Sequence, residues 1–216
     1  ELPAALPCPV ACLTEPLACV LHCLDQAKLH PGDTVVVNGD GPSGLMLAAM
    51  AAWRGARVIL CGRAPQRRGL AEQFGVHAVV NYAAVPDQVE AVRALTDGRR
   101  GAEVAIEAVG RPEVWEATVA MVRKGGQAIF YGGCRRGTSI RLDTQALHYD
   151  QLTLQGVFHN TPYHVRLALD VLAAGILPGA VLITTAVPLA RLCDAFDLML
   201  TRQALKVAVL PSSQQE

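Results

Sequence analysis

Between Asp33 and Arg68 the chain reads DTVVVNGDGPSGLMLAAMAAWRGARVILCGRAPQRR, and no other stretch restricts its fold as strongly. Thr34-Val35-Val36-Val37 is a run of β-branched residues ended by Asn38-Gly39, which predicts a buried strand. Gly39-Asp40-Gly41-Pro42-Ser43-Gly44 fits G-x-G-x-x-G, a helix is predicted from about Ser43 to Trp53, and a second β-rich run follows from Ala56 to Cys61. In such a β-α-β unit Gly39 permits the tight turn, Gly41 lets backbone N–H groups approach a pyrophosphate, and Gly44 lets the helix pack close to its strand. The phosphates would sit on the helix N-terminus, where unpaired N–H groups and the helix dipole favour an anion. The glycine pattern alone is weak evidence. With a strand before it, a helix after it and a second strand behind, it is strong evidence for a dinucleotide site.

The same stretch bears on which dinucleotide is read. An NAD site usually carries Asp or Glu at the end of the second strand, where it accepts hydrogen bonds from the ribose 2′-OH. Here that place holds Cys61-Gly62-Arg63, with Arg67 and Arg68 close behind. A carboxylate there would repel a 2′-phosphate, a glycine leaves room, and arginine binds phosphate through its fork of donors. The residues therefore favour NADP, with NAD as the alternative and a solvated helix start as the bland reading of the arginines.

With 216 residues the chain can bury one sizeable core, and 51% hydrophobic against 18% charged residues marks a globular protein rather than a disordered one. Formal net charge is zero, so nothing points to nucleic acid or to a membrane surface. No apolar stretch reaches membrane-spanning length and no signal peptide is recognisable, so the expected location is cytoplasmic. The chain opens on Glu1, in what reads as the middle of something, and a fragment is the expectation. Seven cysteines in a chain this long do not suggest a disulfide framework. Cys8, Cys12, Cys19 and Cys23 lie in Ala-Leu-Val surroundings without tight C-x2-C knuckles, and they read as small buried hydrophobes rather than as a metal site.

Taken in order, residues 1–11 are Pro-interrupted and read as a connection, and a helix is predicted from Thr14 to about Ala27. After the glycine unit come a helix from Pro65 to Phe74, a strand at Val76–Val80, a helix from Pro86 to Leu95 and a strand at Ala102–Ala108. A helix from Arg111 to about Val122, a turn at Lys124-Gly125-Gly126, and strands at Gln127–Tyr131 and Leu152–Phe158 follow. The last third holds a helix from Pro162 to Ala174 and two β-rich runs, Val181–Val187 and Ala204–Leu210, around a helix from Pro188 to Leu200. Strands alternating with helices imply an α/β fold: a doubly wound, six-stranded parallel sheet with helices on both faces, followed by C-terminal strands. The expected organisation is a connecting segment and helix over 1–30, a dinucleotide-binding domain over 31–176 and a C-terminal segment over 177–216.

The residues also carry a resemblance. Glu15-Pro16-Leu17-Ala18-Cys19-Val20-Leu21-His22, Gly32-Asp33-Thr34-Val35-Val36-Val37, Gly39 to Gly44, Glu107-Ala108-Val109-Gly110, Arg123-Lys124-Gly125-Gly126, Tyr131-Gly132-Gly133, Leu154-Gln155-Gly156-Val157-Phe158 and Leu205-Lys206-Val207-Ala208-Val209 occur in that order. In this the chain resembles the coenzyme-binding Rossmann domain of medium-chain, zinc-type alcohol dehydrogenases, above all the polyol (sorbitol) and threonine dehydrogenase branch. The resemblance implies hydride transfer between an alcohol or polyol carbon and a nicotinamide, with zinc polarising the alcohol oxygen. It implies that Gly39, Gly41, Pro42, Ser43 and Gly44 hold the pyrophosphate, and that Gly62 and Arg63 face the adenosine ribose. Val109 and Gly110 would lie near the nicotinamide ribose, Gly132, Gly133 and Phe158 near the nicotinamide. Glu15 matches a glutamate able to ligate the catalytic zinc; its bland alternative is a helix-start carboxylate.

Relatives of this kind begin with a GroES-like catalytic domain that supplies further zinc ligands and most of the substrate pocket, and the two last β-rich runs return to it. The expectation is therefore a chain that holds a dinucleotide, carries zinc only as part of a full-length protein and catalyses poorly by itself. Homo-oligomers formed through the edge of the sheet are expected on the same ground. Among the histidines, His22 lies seven residues after Glu15 on the predicted helix and His159 follows the last sheet strand, so both could border the pocket. Two other readings stay open: a stand-alone NADP(H)-binding sensor or scaffold, and a zinc-independent quinone or enoyl reductase relative.

Overall fold

The structure is a computed structural model and describes residues 2–4, 6–63 and 68–211, with only the backbone of Arg68. A single turn, α1 (Cys8–Ala11), precedes α2 (Thr14–Gln26), and the glycine unit follows as β1 (Thr34–Asn38), α3 (Pro42–Trp53) and β2 (Arg57–Gly62). Next come α4 (Arg68–Gln73), β3 (Val76–Asn81), α5 (Gln88–Ala94), β4 (Ala102–Glu107), α6 (Pro112–Ala120), β5 (Val122–Phe130), α7 (Thr144–Tyr149) and β6 (Thr153–Gly156). The remainder is α8 (Pro162–Ala173), α9 (Gly179–Leu182), β7 (Thr185–Pro188), α10 (Leu192–Leu200) and β8 (Val207–Leu210).

Six strands form one parallel sheet in the order β3-β2-β1-β4-β5-β6. Every residue of β1 is buried, and β2 is buried from Val58 to Gly62, as a central strand covered on both faces must be. Period-two alternation divides the strand residues between two cores. Val36, Ile59, Cys61, Ala105, Ala128 and Phe130 pack with Val92 of α5 and with Val89, Trp115 and Val119 around them. Val35, Val37, Val58, Leu60, Val104 and Ile106, also buried, alternate with these and so face the other side of the sheet. This is the doubly wound arrangement, and its strand order reverses between β1 and β4. In open sheets of this kind the ligand crevice lies at that reversal, beyond the carboxyl ends of the strands.

Helix α3 is what makes the crevice a site. Its segment from Gly44 to Ala51 is wholly buried and consists of strong helix formers such as Leu, Met and Ala. Pro42 opens it at a position where a missing N–H costs nothing. A Schellman motif closes it: the Gly55 N–H donates to the Ala52 carbonyl and the Ala56 N–H to the Ala51 carbonyl, with Gly55 at φ +88°.

Several boundaries differ from the sequence expectation. Helix α6 stops at Ala120, and Lys124-Gly125-Gly126 lies inside β5 rather than in a turn before it. Val122 already pairs with Ala102, and a register irregularity before Val104 is absorbed where Gly125 takes φ +71°. The helix expected from Pro65 appears as Arg68–Gln73, while residues 64–67 lie outside the described residues. The sixth strand is shorter than expected and leaves Phe158 beyond its end. Val181 and Leu182 are helical, so β7 starts only at Thr185. Cys8–Ala11 is a helical turn where a plain connection was expected, and α7 is an element that apolar periodicity could not announce, because none of its residues is buried. Of the first four cysteines only Cys23 is buried; Cys8 and Cys12 are exposed and Cys19 is intermediate, and none of the seven cysteines is in a disulfide.

By its internal contacts the chain divides into two compact units, residues 19–159 and residues 1–18 with 160–216. The first contains the six-stranded sheet. In the second, β7 and β8 pair with each other in parallel, Thr185 opposite Val207 through Pro188 opposite Leu210, and α1 packs near α8, α9 and β8. Among the described residues no helix is long and apolar enough to cross a membrane.

Candidate functional site

The carboxyl end of β1 runs directly into the glycine turn. Gly39 has φ +140°, donates its N–H to the Cys61 carbonyl at 2.9 Å, and has the Ala108 carbonyl oxygen 3.0 Å from where a Cβ would stand. A Cβ on Gly44 would overlap the Gly39 carbonyl oxygen, so the first turn of α3 rests against the glycine turn with no space for a methyl group. Gly41 is the N-cap of α3, has no side chain to cap it, and a Cβ there would meet nothing within 4 Å. The result is an open mouth above a helix N-terminus, with Pro42 and Ser43 as its first two residues. That is the shape and polarity a pyrophosphate needs, and a dinucleotide fits these residues on this observation.

At the end of β2 lie Gly62, buried, and Arg63, exposed. The place a Gly62 side chain would take is filled from the neighbouring turn: the Cβ, Cγ and Oδ2 of Asp40 lie 2.5 Å from where the Gly62 Cβ would stand. Asp40 Oδ2 also accepts the Arg63 backbone N–H at 3.0 Å. A carboxylate therefore does stand at the end of the second strand, although no acidic residue occupies the strand itself. Arg67 lies outside the described residues, as does the side chain of Arg68 at the start of α4.

The other half of the crevice is built on Glu107, the last residue of β4, which is fully buried. Its Oε1 accepts the N–H groups of Val109 and Gly110, both at 2.8 Å, while Oε2 has no hydrogen-bond partner among the described residues. Burial pushes the Glu107 carboxyl above the usual carboxylate range, opposed by the Gly110 and Val109 N–H groups. Gly110, at φ +82°, comes so near the Gly133 carbonyl that a Cβ would lie 2.5 Å from its oxygen. Gly132 is equally confined, with Glu107 Oε2 2.6 Å from its missing Cβ, and its carbonyl accepts the Trp115 indole N–H at 3.0 Å. Trp115 in turn stacks on Phe130, ring centroids 4.0 Å apart. Gly133 is open on its outer side. Val109, Gly110, Gly132 and Gly133 thus form one rigid rim, joined to the glycine turn because a Gly39 Cβ would also touch Val109.

Phe158 stands past β6, 85% exposed, edge-on to His159. His159 has φ +64°, and its carbonyl oxygen lies 2.8 Å from His22 Nδ1, which makes that nitrogen the protonated one. Cys19 and His159 offer ligand atoms within 4.8 Å of each other. Glu15 precedes Cys19 by one turn of α2 and accepts the Asn160 side-chain amide at 3.2 Å. Carboxylate oxygen and cysteine sulfur are each donor types that zinc accepts. Cys23 and Cys61 do not belong to any such set: burial raises both thiols to about 12, which leaves them inert.

Residues 42–174, which include the N-terminus of α3, the whole Glu107 rim and α8, match the model of the zinc-binding dehydrogenase family. The chain belongs to that family. Among curated members, the erythritol/L-threitol dehydrogenase of Mycolicibacterium smegmatis is 32% identical over 96% of this chain and 57% of its own length. Sorbitol dehydrogenase of Bacillus subtilis is 29% identical over 98% of this chain and 60% of its length. The Thermus sp. ATN1 alcohol dehydrogenase TADH superposes with a TM-score of 0.88 at 28% identity, covering 97% of this chain and 62% of that one. A zinc-binding dehydrogenase from Sinorhizobium meliloti 1021, solved bound to NADP, gives 0.87 at 30% identity over 98% of this chain and 61% of its own. The chain spans about three-fifths of the length of these relatives.

Asp40 and Glu107 escaped the sequence reading as site builders. Asp40 sits at a free position of the glycine motif, and Glu107 was visible only as part of a resembling tetrapeptide.

Proposed function

We propose that this chain is the dinucleotide-binding part of a zinc-type alcohol or polyol dehydrogenase that takes NADP(H), with NAD(H) as the weaker ligand. The observation that carries the reading is the open Gly41 mouth over the α3 N-terminus, with Gly39 and Gly44 held where no side chain fits. In this reading Gly39, Gly41, Pro42, Ser43 and Gly44 hold the pyrophosphate, Gly62 and Arg63 face the adenosine ribose, and Arg67 and Arg68 are further candidates for binding a 2′-phosphate. The Val109, Gly110, Gly132 and Gly133 rim receives the nicotinamide end, with Phe158 beside it. The relatives named for erythritol, threitol and sorbitol support a small polyol as substrate. A nicotinamide held at that rim would supply the hydride acceptor for oxidation of an alcohol carbon to a carbonyl, with the hydroxyl proton passing to solvent. Zinc, when bound, supplies a Lewis acid for that oxygen, and Glu15 is the residue of this chain proposed to ligate it, with further ligands from outside residues 1–216. In the same reading 31–176 is the dinucleotide domain and 177–216 the part shared with a catalytic domain, in a cytoplasmic homo-oligomer.

Arg63→Ala should weaken NADPH by roughly 1.5–3 kcal/mol, the worth of hydrogen bonds to a charged group, and leave NADH nearly unchanged in a fluorescence titration. Equal weakening of both would remove Arg63 from 2′-phosphate recognition. The metal is checked separately: the whole protein should carry zinc by elemental analysis, and Glu15→Ala should lower its content. Full activity in a preparation free of metal would overturn the zinc assignment.

A further inference from the structure

Strand-end selectivity in a dinucleotide fold rests on what stands beside the last residue of β2, because the adenosine ribose lies there. In this chain the strand ends on Gly62, which by sequence alone leaves an empty space. In the structure that space is occupied by the Asp40 side chain, whose Cβ, Cγ and Oδ2 all lie 2.5 Å from where a Gly62 Cβ would be. The same carboxylate oxygen is tied to the strand end by the Arg63 N–H at 3.0 Å, so the group is held in place rather than waving in solvent. Gly62 is therefore small for a reason other than admitting a phosphate. It admits an aspartate from the glycine turn.

We propose that Asp40 is a second specificity-determining residue for the dinucleotide, set against Arg63: from the glycine turn it takes over the place normally filled by an acid on the strand. Its carboxylate accepts the ribose 2′-OH of NAD(H) and opposes the 2′-phosphate of NADP(H), whereas Arg63 acts in the opposite sense. The cofactor preference is then the balance of two charges on one strand end. This inference rests on the dinucleotide reading above and deepens it.

The test is Asp40→Asn in the 216-residue chain, with fluorescence titration of NADPH and of NADH against both proteins. Asparagine keeps the shape and the oxygen that accepts the Arg63 N–H, and removes only the charge. NADPH should bind roughly tenfold more tightly, a modest share of what relieving a like-charge contact yields, with NADH unchanged or weaker. Asp40→Ser serves as a second variant should the first unfold, judged by circular dichroism. A ratio of NADPH to NADH affinity that stays the same or moves toward NADH, in a folded variant, overturns the role of Asp40 and leaves the dinucleotide reading standing. Failure of the unmutated chain to bind either dinucleotide overturns both.

Discussion

Gly44→Ala is expected to abolish dinucleotide binding and to lower the unfolding free energy by about 3 kcal/mol, the upper end for overpacking a close-packed site. The added methyl group would overlap the Gly39 carbonyl oxygen, and that atom belongs to backbone, not to a side chain that could swing away. Helix α3 would have to withdraw from the turn, yet it is buried from Gly44 to Ala51 and has no room to do so. Gly41→Ala is the matching control. Its φ is −74° and an added Cβ meets nothing within 4 Å, so the fold should keep its stability within about 0.5 kcal/mol, as surface changes do. Any loss of NADPH affinity in that variant then reports the close approach of the ligand itself. Urea denaturation and a binding titration on both variants separate the two roles. Unchanged stability in Gly44→Ala would mean that the turn relaxes more easily than this packing allows.

The second large effect belongs to Glu107. Glu107→Ala removes the acceptor of both the Val109 and the Gly110 N–H, and two hydrogen bonds to a charged group set the expected loss at about 3 kcal/mol. The rim formed with Gly132 should loosen with it. Glu107→Gln probes the ionisation with shape and one acceptor retained. The carboxyl is raised in the folded chain by burial, so the folded state holds its proton to higher pH than the unfolded state does. Its stabilising contribution is therefore complete below the unfolded value of about 4.3 and is lost as pH rises through the raised folded value. Stability measured by urea at a series of pH values should fall across that window in the unmutated chain. The fall should be smaller in Glu107→Gln, and parallel profiles would show that Glu107 does not titrate as its surroundings imply.

Much of this protein could be read from local chemistry. A buried strand of valines, a glycine turn and an Ala-Leu-Met helix are each specified by neighbouring residues, so the β-α-β unit and the open turn at its helix N-terminus were legible in the sequence. Boundaries failed where long-range pairing overrode local preference. Lys124-Gly125-Gly126 looks like a turn by composition, but pairing of Val122 with Ala102 draws it into β5. Helix α7 has no fully buried residue, so no apolar period marks it.

The strand-end chemistry lies on the far side of that divide. Asn38 is level with Cys61 in the parallel register, so the turn after β1 runs alongside Gly62 and delivers Asp40 there. Asn38 is also level with Glu107, and Glu107 with Phe130, which sets the glycine turn, the Val109-Gly110 turn and the Gly132-Gly133 loop side by side. The sequence by itself determined that a glycine turn would open over a helix N-terminus at the end of a central strand, because backbone freedom and helix polarity are properties of neighbouring residues. Only the tertiary structure decided that Asp40 and Glu107 would stand in it, because the register between strands far apart in the chain places their carboxylates, and no local pattern encodes that register.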